Sequence, residues 1–350
     1  MRCRKSCKSK KCVDTGQCPQ RADAEKLDET SKSTRKIVES KPVDQPDFTP
    51  HEFQGAVPFR ANPRDVSALI LDGRELATEL RAELTARSAL LLSSGVTPSL
   101  VIVLVGNDES SRAYVRNLVR TGERCGIRVV VDELPETATT LTVRQRLERL
   151  HDDASVHGVM LQQPLPVHLH IREIADAIPV NKDVDGAHPT NQGHLAFGSG
   201  TDFVPATPAA VMLLLERSPH WPLRGRRTVM IGRSIVVGAP VALLMLAQDA
   251  TVTVLHKESA SLQPYLRDAE VVVVATGVPR LIGGADIAPG ATIIDVGTTV
   301  IDGTLHGDVD FASALTVAGA ITPVPGGVGP VTNVALLRNV VASAERLMLR

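Results

Sequence analysis

At Val229-Met-Ile-Gly-Arg-Ser-Ile-Val-Val-Gly-Ala-Pro240 a β-branched run meets Gly232, turns through Arg233-Ser234 and enters a predicted helix at Gly238. Glycines at such a turn let backbone N–H groups approach a pyrophosphate, and the helix N-terminus adds partial positive charge. The spacing is not G-x-G-x-x-G: Ser234 takes the second glycine place and Gly238 comes one residue late. For this segment alone a plain chain-reversing turn is the competing explanation. Two cations shift the balance. Lys257 follows the next predicted strand, near where dinucleotide-binding folds carry an acid for the ribose 2′-hydroxyl. With Arg233 it suits a 2′-phosphate, so NADP is expected over NAD.

Working outward, apolar strands alternate with amphipathic helices on both sides of this turn. Downstream the pattern predicts strands at Arg227–Ile231, Thr251–Leu255, 269–275 and 291–296, with a helix from Ala239. Upstream it predicts strands at Ser99–Val105, 127–131 and 158–162. Helices are expected over 142–151 and from a Ser110 or Ser111 cap to Gly126, and a stripe of Leu76, Leu80 and Leu84 marks another. The alternation argues a parallel α/β architecture in two domains. The first is expected over 66–206, joined by a returning C-terminal helix over 331–350. The second, a modified Rossmann unit, is expected over 207–330 with a cleft between the two. Residues 1–65 are polar, lack a sustained period and read as a disordered tail.

Composition removes several classes of function. Of 350 residues, 43% are hydrophobic and 22% charged, which fits a globular chain. A formal net charge of -1 gives no global field for nucleic acid or anionic lipid. Aromatics at 3% argue against a base-stacking platform. The longest apolar runs fall far short of the ~20 residues of a membrane span. Cys3, Cys7, Cys12 and Cys18 form no C-x2-C pair and Cys125 stands alone, so no zinc site is expected. A folding core without paired cysteines fits a reducing cytoplasm.

Three further segments carry polar groups of interest. Asn181-Lys-Asp-Val-Asp-Gly-Ala-His-Pro189 lacks the later oxygen ligands of a calcium loop. Asp185 there could accept two N–H donors from a ring, or shape a turn. Gln162 and Gln163 close an apolar strand, at the end where open α/β sheets bind ligands. The bend Ile321-Thr-Pro-Val-Pro-Gly-Gly-Val-Gly-Pro-Val-Thr332 either forms a tight crossover or offers its amides to a ligand. His168 and His170 lie two apart, wrong for one helical face, so no metal pair is expected.

Taken in order, five motifs resemble the bifunctional methylenetetrahydrofolate dehydrogenase/cyclohydrolase family: Ser111-Arg-Ala-Tyr-Val115, Gly158-Val-Met-Leu-Gln-Gln-Pro-Leu-Pro166, Lys182-Asp-Val-Asp-Gly186, the 232–240 turn and Pro323-Val-Pro-Gly-Gly-Val-Gly-Pro330. The resemblance implies a homodimer that oxidises 5,10-methylenetetrahydrofolate with NADP and hydrolyses the methenyl product to 10-formyltetrahydrofolate. It implies that Tyr114 positions the folate, Gln162 assists ring opening and Asp185 holds the pterin edge. Pro325, Gly326 and Gly327 would border the substrate. Gly232, Arg233, Ser234 and Gly238 would hold cofactor phosphates, with Gly297 and Thr298 on the nicotinamide side. One departure dominates. The family pattern Y-x-x-x-K puts a catalytic lysine four residues after Tyr114, and this chain has Leu118. Leucine offers neither donor nor acceptor, so the hydrolytic step is expected to be weak or lost. A binding protein without turnover, or a dehydrogenase for another one-carbon carrier, are the alternatives the sequence leaves open.

Overall fold

The computed structural model describes residues 68–198 and 203–348, and the tail expected over 1–65 lies outside them. In chain order the first half gives β1 (Leu69–Ile70), α1 (Gly73–Ser93), β2 (Ser99–Val105), α2 (Glu109–Arg124), β3 (Arg128–Leu134), α3 (Thr140–Arg149) and β4 (Gly158–Leu161). Next come α4 (Pro189–Phe197), α5 (Ala206–Leu215), β5 (Arg227–Ile231), α6 (Gly238–Leu246), β6 (Thr251–Leu255), β7 (Val271–Val274) and β8 (Thr292–Asp295). A small hairpin of β9 (Thr299–Ile301) and β10 (Thr304–His306) precedes β11 (Ala320–Ile321) and α7 (Val328–Met348). Helices shorter than eight residues are not numbered.

Two parallel sheets organise these elements. In one, β2 lies between β3 and β4. Every residue of β2 is buried, as its unbroken apolar run requires. The other has the order β1-β11-β8-β7-β5-β6, parallel throughout. The two-domain α/β class read from the sequence is therefore present. Residues 69–70, expected at the start of the first domain, instead pair with Ala320 and Ile321 at the edge of the second sheet.

Two helix starts differ from expectation for identifiable reasons. Asp108, not Ser110 or Ser111, caps α2: its carboxylate accepts the Ser111 N–H at 2.7 Å and also the Ser110 hydroxyl. A carboxylate satisfies an orphan N–H and complements the helix dipole, so it outcompetes a serine that merely donates to it. At the other end, α7 begins at Val328, inside the glycine- and proline-rich bend. Pro330 falls in the first helical turn, where its missing N–H removes no bond.

The long α7 packs against α1 and α5 and reaches α2, β2 and β4. Leu336, Leu337, Val340 and Val341 are completely buried there, each apolar side chain contributing about 1.5–3 kcal/mol. Asn339 pins the helix to the loops it crosses, donating to the carbonyls of Val184 at 2.8 Å and Val204 at 2.9 Å. The Lys182–Gly186 motif is thereby fixed from behind. Among the described residues no helix is long and apolar enough to cross a membrane.

Candidate functional site

Two cavities hold most of the residues singled out from the sequence. The first, of 610 Å³, is lined by Gly232, Arg233, Ser234 and Lys257, with His256 and Thr276 beside them. Gly232 sits at φ 116, and a Cβ there would lie 2.2 Å from the Ala275 carbonyl oxygen. Only glycine fits that conformation and that approach. Gly238 is buried behind the turn, where a Cβ would lie 2.3 Å from the Gly232 carbonyl oxygen. The Ser234 hydroxyl accepts the N–H groups of Val237 and Gly238 at 3.2 and 3.3 Å, so it closes the turn itself. Its own hydrogen remains to donate outward. Arg233 and Lys257 are both exposed along the wall, and among the described residues Lys257 pairs with Glu258 alone, at 3.7 Å. An exposed pair of that kind is weak, which leaves two cations for an anionic guest. A backbone turn, a hydroxyl and two cations fit the phosphates of a dinucleotide.

The second cavity, of 540 Å³, lies between α1, α2, the 323–330 bend and the segment after β8. Tyr114, Asn117 and Thr121 present one face of α2 to it. Pro325, Gly326 and Gly327 form the opposite wall, and Gly297 and Thr298 close a third side. The bend is seated on the start of α1: the Gly73 N–H donates to the Gly326 carbonyl at 2.9 Å. Any side chain at Gly73 would strike the Gly327 carbonyl, its Cβ falling 1.7 Å from that oxygen.

Leu118 is not on this wall. It is completely buried among the main core side chains, although it follows Tyr114 by one helical turn. Gln162 also lies off both walls. It is buried, its amide N–H turns back onto the Gln163 carbonyl, and its Oε1 has no partner.

The two carboxylates of the 182–186 motif divide their work. Asp183 is fully buried and accepts the N–H groups of Ala187 (3.0 Å) and His188 (2.8 Å) and the Asn191 amide (2.7 Å). Lys182 donates to the carbonyls of Leu150 (2.9 Å) and Asp153 (2.7 Å). Both are therefore structural. Asp185 is left with the Ala206 N–H, and burial followed by the nearby Asp183 charge pushes its pKa up to about 7. Burial, then the Asp185 charge, drives the Tyr114 hydroxyl well above its usual value. Tyr114 is thus a proton donor, and Asp185 a carboxyl short of hydrogen-bond partners.

A buried carboxylate pair joins the two cavities. Asp308 accepts the Thr276 N–H and hydroxyl and the Gly277 N–H on the dinucleotide side. Its own N–H donates to Asp295 at 3.0 Å, and Asp295 also takes the Gly297 N–H (2.9 Å) and the Val309 N–H (2.9 Å). Burial pushes Asp295 up to about 6, against the pull of those three N–H donors. The sequence singled out neither residue. It also missed Arg74, Arg81, Asn117 and Asn333, which line the second cavity. Asn333 had a visible signal: a lone amide between Val331 and Val334 on an otherwise apolar helix face. It is 4% exposed, and its Oδ1 has no partner.

Residues 71–185 match the catalytic domain of tetrahydrofolate dehydrogenase/cyclohydrolase, and residues 205–348 match its NAD(P)-binding domain. The Bifunctional protein FolD of Bordetella avium is 46% identical over 284 residues, covering 81% of this chain and 99% of that protein. A solved structure of the Campylobacter jejuni FolD, a methylenetetrahydrofolate dehydrogenase/cyclohydrolase, is 39% identical with a TM-score of 0.77, covering 80% and 99% of the two chains. The Trypanosoma brucei N5,N10-methylenetetrahydrofolate dehydrogenase-cyclohydrolase, solved with NADP cofactor and inhibitor, is 37% identical with a TM-score of 0.78, covering 82% and 100%. On both domain matches and on identity across most of its length, the chain belongs to the tetrahydrofolate dehydrogenase/cyclohydrolase family.

Proposed function

We propose that the chain oxidises 5,10-methylenetetrahydrofolate to 5,10-methenyltetrahydrofolate with NADP, and that its hydrolysis of the methenyl product is greatly reduced. Bound NADP would supply the acceptor for the hydride, one proton with two electrons, that leaves the methylene carbon. Gly232, Ser234 and the start of α6 hold its phosphates, and Arg233 and Lys257 receive the 2′-phosphate. The Asp295–Asp308 pair keeps the walls of the two cavities in register. Hydrogen transfer depends chiefly on holding two bound partners in the right geometry, and those walls remain intact.

On the folate side, Asp185 takes the N–H donors of the pterin edge. Such donors favour its ionised form and offset the cost of its burial. Tyr114 lies along the substrate with its hydroxyl protonated. Water addition and ring opening need a group that passes protons near neutral pH. Among the described residues no lysine or histidine lines the substrate cavity, and Asp185, raised to about 7, is committed to the pterin edge. Leu118 has no polar atom, and the two carboxylate oxygens of Asp295 are held by three backbone N–H donors. The single observation that carries the proposal is Leu118, completely buried in core packing where the family pattern places a lysine.

The test is an anaerobic assay of the full chain with 5,10-methylenetetrahydrofolate, following methenyl absorbance with NADP and then with NAD. Formation of the methenyl product with NADP, at lower KM than with NAD, is expected. No product with either cofactor, despite binding of both ligands, would mean a binding protein without turnover.

A further inference from the structure

A third cavity, of 420 Å³, shares no lining residue with the two described above. The α3–β4 connection, the 180–182 turn and the last turn of α7 meet around it. Its size lies within the roughly 300–1,000 Å³ of small-molecule sites. Val96, Ala344, Leu347 and Met348 give it an apolar lining, and His157 and Lys182 add two basic side chains. Those two are only 7% and 3% exposed.

Neither basic group is fully matched. Lys182 ties the turn to the Leu150 and Asp153 carbonyls, which uses two of the three N–H donors of an ammonium. Among the described residues no carboxylate forms an ion pair with it, and Asp153 and Asp152 act on it only through their charge. Asp153 is turned onto the Ser155 N–H and hydroxyl, at 2.9 and 2.6 Å, and Asp152 meets His151 at 3.0 Å. Burial, then the Lys182 charge, lowers the His157 pKa, so the ring is neutral near neutral pH and carries one N–H. Its Nδ1 is buried without a partner. A buried ammonium without a counter-charge and a buried imidazole without a partner both cost free energy, and a bound acceptor would recover it.

We propose that this cavity is a binding site for a small organic monoanion, a carboxylate on an apolar body. The carboxylate accepts from Lys182 and His157, and the body covers Val96, Leu347 and Met348. Each part of the lining selects for part of that ligand. The ammonium disfavours cations, and the apolar side chains gain nothing from a bare inorganic ion. Asp152 and Asp153 stand close enough to disfavour a second negative charge. The site is independent of the oxidation proposed above, because neither the dinucleotide cavity nor the substrate cavity shares its residues.

Benzoate is the probe, with benzamide as its neutral counterpart and inorganic phosphate as the multiply charged one. Calorimetric titration uses the full chain at constant ionic strength, with NADP and tetrahydrofolate present to fill the other two cavities. Benzoate is expected to bind at least about tenfold more tightly than either comparison compound, roughly the worth of one charge-assisted hydrogen bond. Leu347→Trp fills the cavity and keeps both basic groups, whereas Lys182→Gln removes the charge. Each should weaken benzoate by at least about tenfold. Thermal melts check folding, and if Lys182→Gln does not fold, His157→Phe takes its place. No benzoate binding, or benzamide held as tightly as benzoate, overturns the proposal. So does benzoate affinity that survives in the folded variants. Phosphate bound in preference to benzoate would also overturn it, since the apolar body would then have no part.

Discussion

The dinucleotide turn and helix α2 have met sequence change in opposite ways. At the turn, the departure from G-x-G-x-x-G is absorbed. The function lies in backbone shape, and Gly232, Ser234 and Gly238 still close the curve between β5 and α6. On α2 the backbone is intact as well, yet one side chain has changed from the family's lysine to Leu118. Among the described residues of the cavity wall there is no other lysine, nor a histidine, to take its place. A site built from backbone geometry tolerates side-chain change as long as its glycines stay. A site built on one titratable group is expected not to, which is why hydrolysis is the step proposed to be lost.

The sharpest way to break this contrast is to restore the group. Leu118→Lys should raise hydrolysis of methenyltetrahydrofolate by about 10²–10⁴-fold in the folded fraction, the usual worth of a positioned acid or base. The position is completely buried, so the thermal melt should fall, because an ammonium there loses its hydration. A folded variant that binds folate and hydrolyses no faster than the parent would show that Leu118 is not the decisive loss.

The complementary change attacks the backbone side. Gly232→Ala places a Cβ 2.2 Å from the Ala275 carbonyl oxygen and strains a positive φ. The NADP Kd should rise at least about tenfold, equivalent to roughly 1.4 kcal/mol, while tetrahydrofolate binding changes much less. Unaltered NADP affinity by titration would mean the turn is not the phosphate site.

A pH series separates the two regions with a smaller effect. Asp185 is raised from 3.8 to about 7, so the native state binds more protons than the unfolded chain between those values. Stability contributed by this group is therefore full at acid pH and is lost as pH rises through that window. Asp185→Asn should raise the melting temperature more at pH 8 than at pH 5. In the unmodified enzyme KM for folate should fall as pH rises through about 7, while the NADP Kd stays flatter. A variant whose melting shift is the same at both pH values contradicts the assignment.

The smallest effect belongs to Asn333. An unpartnered buried amide costs about 1–3 kcal/mol, and an apolar replacement of similar size removes that cost. Asn333→Leu should melt somewhat higher and bind folate less tightly, the trade expected of a residue kept for its ligand. A higher melt with unchanged folate KM would leave Asn333 without a ligand role.

The legibility of the molecule follows the same division. The apolar strands β2, β5 and β6 and the helix stripe of Leu76, Leu80 and Leu84 were plain in the sequence, because burial writes itself as periodicity. The pairing of β1 with β11 was not, since two residues carry no period and Leu69 is far in sequence from its partner Ala320. Tyr114, Pro325, Gly326 and Gly327 stood in short motifs, and the structure brings them to one cavity. Arg74, Arg81 and the Asp295–Asp308 pair were invisible, because their positions depend on which distant loop they face. Asp183 and Asp185, alike in the motif, were told apart only by their hydrogen-bond partners.

The central claim is the split between a retained oxidation and a lost hydrolysis. Its most direct test follows both reactions on one preparation of the unmodified full chain. Methylenetetrahydrofolate and NADP are supplied first, and methenyltetrahydrofolate alone is supplied separately. Rapid appearance of the methenyl compound is expected in the first case. In the second, decay no faster than the uncatalysed reaction in the same buffer is expected. Hydrolysis at a rate comparable to oxidation would contradict that split, because some other group would then be carrying the protons that Leu118 cannot.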